Sequence, residues 1–98
     1  MEGYKLILST TSVKTATASR YLQQICKHFS HKIEVEFTPE TGWIQFDFGK
    51  AELEASKDTL TIVAKANNQE NLVRLRNVVA SHLERFAFRE TLVMDWSN

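Results

Sequence analysis

The stretch IEVEFTPETGWIQFDFGKAELEASKDTLTIVAKA, residues 33–66, decides the fold. Apolar and polar residues alternate along four short segments, which is the two-residue period of strands with one buried face. Turn residues separate these segments at 38–42 (TPETG), at Gly49-Lys50 and at Lys57-Asp58. Short strands joined in this way predict an antiparallel meander. The four predicted strands cover residues 33–37, 43–48, 51–55 and 59–66.

The two faces of this predicted sheet differ in polarity. One face gathers the apolar residues and is expected to lie on the core: Ile33, Val35, Phe37, Ile44, Phe46, Phe48, Leu53, Leu60, Ile62 and Ala64. The opposite face gathers carboxylates and is expected to be acidic: Glu34, Glu36, Asp47, Glu52 and Glu54. Residues 33–58 hold seven acids and two bases, so the net charge of zero is the sum of −5 here and +5 elsewhere.

Two amphipathic helices are predicted on either side of the meander. Residues 16–31 carry apolar residues at helical spacing, with Thr15 or Thr17 as the candidate N-cap. A second helical pattern begins after the candidate N-cap Asn68 and runs to residue 88. The first apolar stripe consists of Ala18, Leu22, Ile25 and Phe29. The second consists of Leu72, Leu75, Val79, either His82 or Leu83, and Phe86.

The two ends of the chain also carry strand patterns. Residues 4–10 (YKLILST) predict a first strand with Tyr4, Leu6 and Leu8 facing the core, and residues 92–96 (LVMDW) predict a short C-terminal strand. The element order is therefore β-α-β-β-β-β-α with this added strand. Strands that are apolar on one face, together with two amphipathic helices, predict an α+β two-layer sandwich with an antiparallel sheet and both helices on one face.

Length and composition limit the classes of function. A chain of 98 residues that is 43% hydrophobic and 24% charged predicts a single globular domain over residues 1–98. The zero net charge argues against a nucleic-acid partner, and no apolar run is long enough to cross a membrane. With Cys26 as the single cysteine and no signal peptide, the expected compartment is the cytoplasm.

Histidine and arginine side chains are the candidate functional groups. If both helices pack on one sheet face, His28 of the first helix and His82 of the second approach each other. Arg85 and Arg89 are four residues apart and are expected on one helical face, and two arginines with a histidine suit a carboxylate or phosphate. The structural alternative is that acidic residues such as Glu84 and Glu90 pair with these arginines. Cys26 has no base on its side of the helix and is expected to be buried and inert.

These residues favour a non-enzymatic binding module for a small anionic ligand or a partner protein, with no cofactor. The expected binding residues are His28, His82, Arg85, Arg89 and Trp96. One alternative is a metal-binding protein or metal-dependent enzyme that uses His28, His31 and His82. Another is a homo-oligomeric structural or interaction subunit, since the sequence does not fix the oligomeric state.

Four parts of the chain resemble a bacterial family of small domains of unknown function. They are TATASRYLQQICKHFSHK (15–32), FGKAELEA (48–55), VVASHLERFAFRE (78–90) and the closing Trp96, with HLERFAFRE the most specific. Some members of that family are encoded near siderophore-interacting reductases. The resemblance implies a bacterial cytoplasmic protein with a loose link to iron uptake, and it assigns no role to any residue.

Overall fold

A five-stranded antiparallel sheet with both helices on one face forms the fold, in a computed structural model that describes residues 6–97. The strand order across the sheet is β1-β5-β4-β3-β2, so β1 and β2 are the edges. The α+β class and the order β-α-β-β-β-β-α are confirmed. The elements are β1 (Ile7–Lys14), α1 (Ala18–Phe29), β2 (Glu34–Phe37), β3 (Thr41–Phe46), β4 (Gly49–Ala55), β5 (Thr59–Ala66) and α2 (Gln69–Phe86).

The strand register brings the apolar residues of the meander onto the helix side. Ile44 of β3 lies opposite Ala51 of β4, and Leu53 of β4 lies opposite Ile62 of β5. All four are buried. Phe37, predicted to face the core, is instead partly exposed at the end of the edge strand β2. The helices complete the core with Ala18, Tyr21, Leu22, Ile25 and Cys26 from α1 and Leu72, Leu75, Val79 and Leu83 from α2.

The first strand faces the opposite way from the prediction. Tyr4 lies outside the described residues, while Leu6 and Leu8 are 59% and 48% exposed. Pairing with β5 explains the reversal, because Ser9 lies opposite Ala64, which faces the helices. A side-chain period of two then turns Ser9, Thr11 and Val13 inward, and all three are buried.

The C-terminal tail, residues 87–97, satisfies the hydroxyl groups that this register buries. Ser9 Oγ donates to the carbonyl oxygen of Ser97 at 2.5 Å, and the backbone N–H of Asp95 donates to Thr11 Oγ1 at 3.0 Å. The predicted C-terminal strand is reduced to one antiparallel bridge between Thr10 and Ser97. We call these contacts the β1–tail seam.

The hairpin between β3 and β4 turns two residues earlier than predicted. Phe46 pairs with Gly49, so Asp47 and Phe48 form the turn and Gly49-Lys50 begins β4. Phe48 therefore lies in the turn, where it is half-buried and stacks on Phe46 with ring centroids 5.1 Å apart.

The outer sheet face is mixed in charge, which corrects the acidic face expected above. Asp47 lies in the turn, and Lys50 and Lys65 lie beside each other on this face. Lys65 Nζ is 3.0 Å from Glu52 Oε1, and Lys50 Nζ is 3.7 Å from Glu52 Oε2. Lysines from β4 and β5 thus neutralise the central carboxylate of the face.

The two helices begin and end differently. Asn68 is the N-cap of α2, and its side chain accepts a hydrogen bond from the N–H of Asn71 at 2.8 Å, as predicted. Thr17 is the N-cap of α1 but makes no side-chain cap bond. The α2 helix ends at Phe86 rather than at residue 88. In residues 6–97, neither helix is long and apolar enough to cross a membrane.

Candidate functional site

The ends of α1 and α2 bring two of the predicted residues into contact. The ring centroids of His28 and His82 are 5.0 Å apart, which confirms that these histidines approach each other. His28 is exposed and His82 is half-buried. His31 follows the end of α1, and no three His, Cys, Asp or Glu side chains in residues 6–97 come close enough to hold a metal ion. The expected set of three histidines is therefore not assembled.

Two phenylalanines border the histidine pair. The ring of Phe29 lies 4.9 Å from that of His28 and 4.8 Å from that of His82, and the ring of Phe86 lies 6.0 Å from that of His28. Phe29 also packs edge-on against Phe46 of β3, at 5.0 Å. These contacts connect the imidazoles to the core and restrict their rotation. We call His28, Phe29, His82 and Phe86 the histidine cluster.

The protonation of the His82 ring follows from its hydrogen bond. Nδ1 of His82 lies 2.8 Å from the carbonyl oxygen of Val78, one turn earlier in α2. A carbonyl oxygen only accepts hydrogen bonds, so Nδ1 carries the proton. In the neutral ring, Nε2 then keeps its lone pair and is the nitrogen available to a ligand.

The surroundings of His28 favour its neutral form. Loss of solvent around the ring is the main effect that lowers the pKa of His28 below the ordinary value of 6.5. The neighbouring His82 and the positive charges of Arg85 and Lys32 lower this pKa further. His28 therefore stays neutral to lower pH than a free histidine.

This shift predicts that protonation of His28 destabilises the protein in weak acid. A folded-state pKa below the unfolded value of 6.5 gives a stabilising contribution that is present above pH 6.5 and is lost as the pH falls. We expect the free energy of unfolding to fall from about pH 7 to about pH 5, and to fall less in His28→Phe. Urea unfolding at both pH values measures the difference. His31→Phe is the control, and an equal fall in wild type and His28→Phe would contradict the prediction.

The early end of α2 separates the two predicted arginines. Arg85 is in the last turn of the helix, near enough to influence the pKa of His28. Ala87 leaves helical geometry, with φ −92° and ψ 52°, so Arg89 does not continue the helical face of Arg85. The expectation that both arginines share one helical face is therefore wrong.

Arg89 instead borders a groove of about 520 Å³ between α1 and residues 86–90, which we call the helix groove. Its guanidinium lies 5.4 Å from the ring centre of Phe88, and Phe88 is 78% exposed. Arg20 of α1 and Phe86 of α2 also line the groove. The groove thus combines two arginines with three aromatic rings, those of Tyr21, Phe86 and Phe88.

One carboxylate in the helix groove is already bound by hydroxyl groups. Glu90 Oε2 accepts hydrogen bonds from Tyr21 Oη at 2.5 Å and from Thr15 Oγ1 at 3.0 Å. Burial, followed by these interactions with Glu90, raises the pKa of Tyr21. Within residues 6–97, no carboxylate forms an ion pair with Arg20 or Arg89, so the expected pairing of Glu90 with an arginine is not observed.

Trp96 and Cys26 lie outside both the histidine cluster and the helix groove. Trp96 belongs to the tail, next to the Ser97 that pairs with Thr10, and packs against the core. Cys26 is fully buried, as predicted, and burial raises its thiol pKa to about 12. The predicted binding residues therefore separate into the histidine cluster with Arg85, the helix groove with Arg89, and the tail with Trp96.

Arg20 is the groove residue that sequence reasoning missed. Arg20, Gln24 and His28 are spaced by four residues and follow one side of α1. Arg20 and Gln24 line the helix groove, and His28 lies in the histidine cluster. This polar stripe, which runs beside the apolar stripe of α1, was the sequence signal that could have identified Arg20. It connects the helix groove with the histidine cluster.

Comparison with known proteins identifies the family of this chain. It is similar to the protein in the NMR structure of PA4090 from Pseudomonas aeruginosa, with 41% identity and a TM-score of 0.79 over 92% of this chain and 94% of the other. No curated protein matches. A family model described as an uncharacterized protein conserved in bacteria, DUF2218, matches residues 10–97. The protein with the histidine cluster and the helix groove therefore belongs to the DUF2218 family of bacterial proteins.

Proposed function

We propose that this protein is a non-enzymatic binding module that holds a small anionic ligand in the helix groove. The observation that carries the proposal is the presence of two arginines, Arg20 and Arg89, beside exposed aromatic surface and without an ion-pair partner in residues 6–97. Guanidinium groups bind carboxylates through paired, charge-assisted hydrogen bonds. Within residues 6–97, Glu90 forms no ion pair with either arginine, and its Oε2 accepts hydrogen bonds from Tyr21 and Thr15.

The groove chemistry favours an aromatic carboxylate. Phe86 and Phe88 offer apolar ring surface, and Arg20 and Arg89 supply positive charge at the same groove. Arg85 adds a further positive charge at the neighbouring histidine cluster. Dihydroxybenzoates combine a ring with a carboxylate and are building blocks of iron chelators, so they connect this proposal with the proposed loose link to siderophore uptake. The cytoplasm remains the proposed compartment.

Removal of either arginine is expected to weaken ligand binding. Arg20→Gln and Arg89→Gln should each reduce the affinity for 2,3-dihydroxybenzoate by roughly 10- to 100-fold, the scale of a lost hydrogen bond to a charged group. Isothermal titration calorimetry measures the dissociation constants. Arg74→Gln is the matched control, because it removes the same charge from a side chain that stacks on Phe48, outside the groove. A similar loss in all three variants would indicate a general charge effect and contradict a specific site.

A partner protein is the second candidate occupant of this surface. Phe88 and Val93, 78% and 71% exposed, place apolar side chains next to the helix groove and along the tail. Exposed apolar side chains of this size are common in protein interfaces. Light scattering at high concentration distinguishes a homo-oligomer from a monomer, and Phe88→Ser should dissociate an oligomer that uses this surface.

A further inference from the structure

We propose that His28 and His82 together bind a divalent first-row transition-metal ion, with one nitrogen of each imidazole as a ligand. The proposal concerns the histidine cluster and does not depend on the ligand of the helix groove. It differs from the three-histidine expectation, because His31 takes no part. With two protein ligands, the remaining coordination positions belong to water or to small anions.

The separation of the two rings fits a shared ion. An ion bound at about 2.1 Å by one nitrogen of each of two imidazoles puts the ring centroids roughly 4.5 to 5.3 Å apart, for bond angles from 90° to tetrahedral. The His28 and His82 centroids are 5.0 Å apart. No movement of the helices is therefore needed to bring the rings to this separation.

The hydrogen bond of His82 provides the second argument. Histidines that bind metals usually donate their other ring N–H to a carbonyl or carboxylate, which fixes the tautomer and the orientation of the ring. His82 Nδ1 donates in this way to the Val78 carbonyl oxygen, at 2.8 Å. Nε2 of His82 is thereby left as a ligand with a free lone pair.

The phenylalanines of the cluster provide the third argument. Phe29 touches both imidazole rings, and Phe86 borders His28 on the α2 side. The half-buried ring of His82, which packs on Phe29 and is hydrogen-bonded to Val78, loses little further rotational freedom when an ion binds.

Charge determines which ions fit the cluster. Arg85 and Lys32 are near enough to His28 to lower its pKa, and their positive charges oppose a cation. Imidazole ligands prefer the later first-row metals, and Cu²⁺ binds most strongly in that series. Cys26 does not contribute, because it is fully buried. We therefore expect Cu²⁺ to bind best, together with small anions near Arg85.

Titration of tag-free protein with Cu²⁺ tests the proposal. Calorimetry should show one ion per chain, and electron paramagnetic resonance should show nitrogen ligands. His28→Phe and His82→Phe keep a ring in the cluster, and each should weaken binding at least about tenfold. His31→Phe is the control and should bind like the wild type. Arg85→Gln should bind Cu²⁺ more tightly, because it removes an opposing charge.

Two results would overturn the proposal. One is equal Cu²⁺ affinity in the wild type and in the double variant His28→Phe/His82→Phe, which would place the ion elsewhere on the chain. The other is loss of binding in His31→Phe. Circular dichroism checks the fold of each variant. Should His82→Phe fail to fold, His28→Gln at the exposed position answers the question alone.

Discussion

Gly49→Ala is expected to lower the free energy of unfolding by about 3 kcal/mol, from steric overlap combined with backbone strain. Gly49 is the first residue of β4 and has a φ of 157°, in a region that residues with a side chain rarely adopt. A Cβ atom there would lie 2.5 Å from the carbonyl oxygen of Lys65 and 2.9 Å from Leu75 Cδ2. The carbonyl belongs to the central strand β5, so it has little freedom to move away.

Thermal unfolding measures this effect, and Gly42→Ala provides the comparison. A loss of about 3 kcal/mol corresponds to a decrease in Tm of more than about 10 °C for a domain of this size. The Cβ atom added at Gly42 would meet two side-chain atoms, Cys26 Sγ and Phe37 Cβ, each at 2.9 Å. Phe37 is partly exposed and can shift, so we expect a smaller loss of about 1 kcal/mol. Equal losses in the two variants would contradict the role given to the Lys65 carbonyl.

Leu92→Ala is expected to destabilise the protein by about 2–4 kcal/mol, the range for a buried leucine. Leu92 belongs to the tail, which has no regular secondary structure, yet its side chain is buried in the core cluster. Truncation leaves a cavity and removes the apolar contact that holds the tail near β1. The loss of that contact also weakens the hydrogen bond from the Asp95 N–H to Thr11 Oγ1.

Val93→Ala is the matched control for this prediction. Val93 is the next residue of the tail and is 71% exposed, so its truncation should change the free energy of unfolding by less than about 0.5 kcal/mol. Chemical unfolding of both variants gives the two values. Similar small losses in Leu92→Ala and Val93→Ala would mean that the tail contributes little to stability.

The meander was predictable because local pattern and burial agree there. The predicted limits of β5, residues 59–66, are those of the structure, and its alternate residues Leu60, Ile62 and Ala64 are buried. In the first strand the pattern misled, because the side chains with hydroxyl groups face the core. Hydrophobicity assigns Leu8 inward and Ser9 outward, whereas pairing with β5 and hydrogen bonds from the tail reverse both. Those partners lie far away in the sequence and leave no local signal.

The sequence predicted the candidate site only for those residues that lie within a regular helix. His28 and His82 lie on helices that pack on the same sheet face, so helical spacing predicted their contact. Arg89 lies beyond the end of α2, because the chain leaves helical geometry at Ala87. Helical spacing therefore does not predict the side of the helix on which Arg89 lies. The helix groove depends on this change of direction, and periodicity did not reveal it.

The β1–tail seam has a consequence for the order in which the protein folds. Thr10 and Ser97 are 87 residues apart, so closing this contact in an unfolded chain costs on the order of 4 kcal/mol of loop entropy. Once the sheet and α2 have formed, only the short segment after Phe86 remains to be ordered, and this cost falls by about half. We therefore expect the tail to join β1 last during folding and to separate from it first during unfolding. Such a separation would uncover the edge of β1 where Thr10 pairs with Ser97.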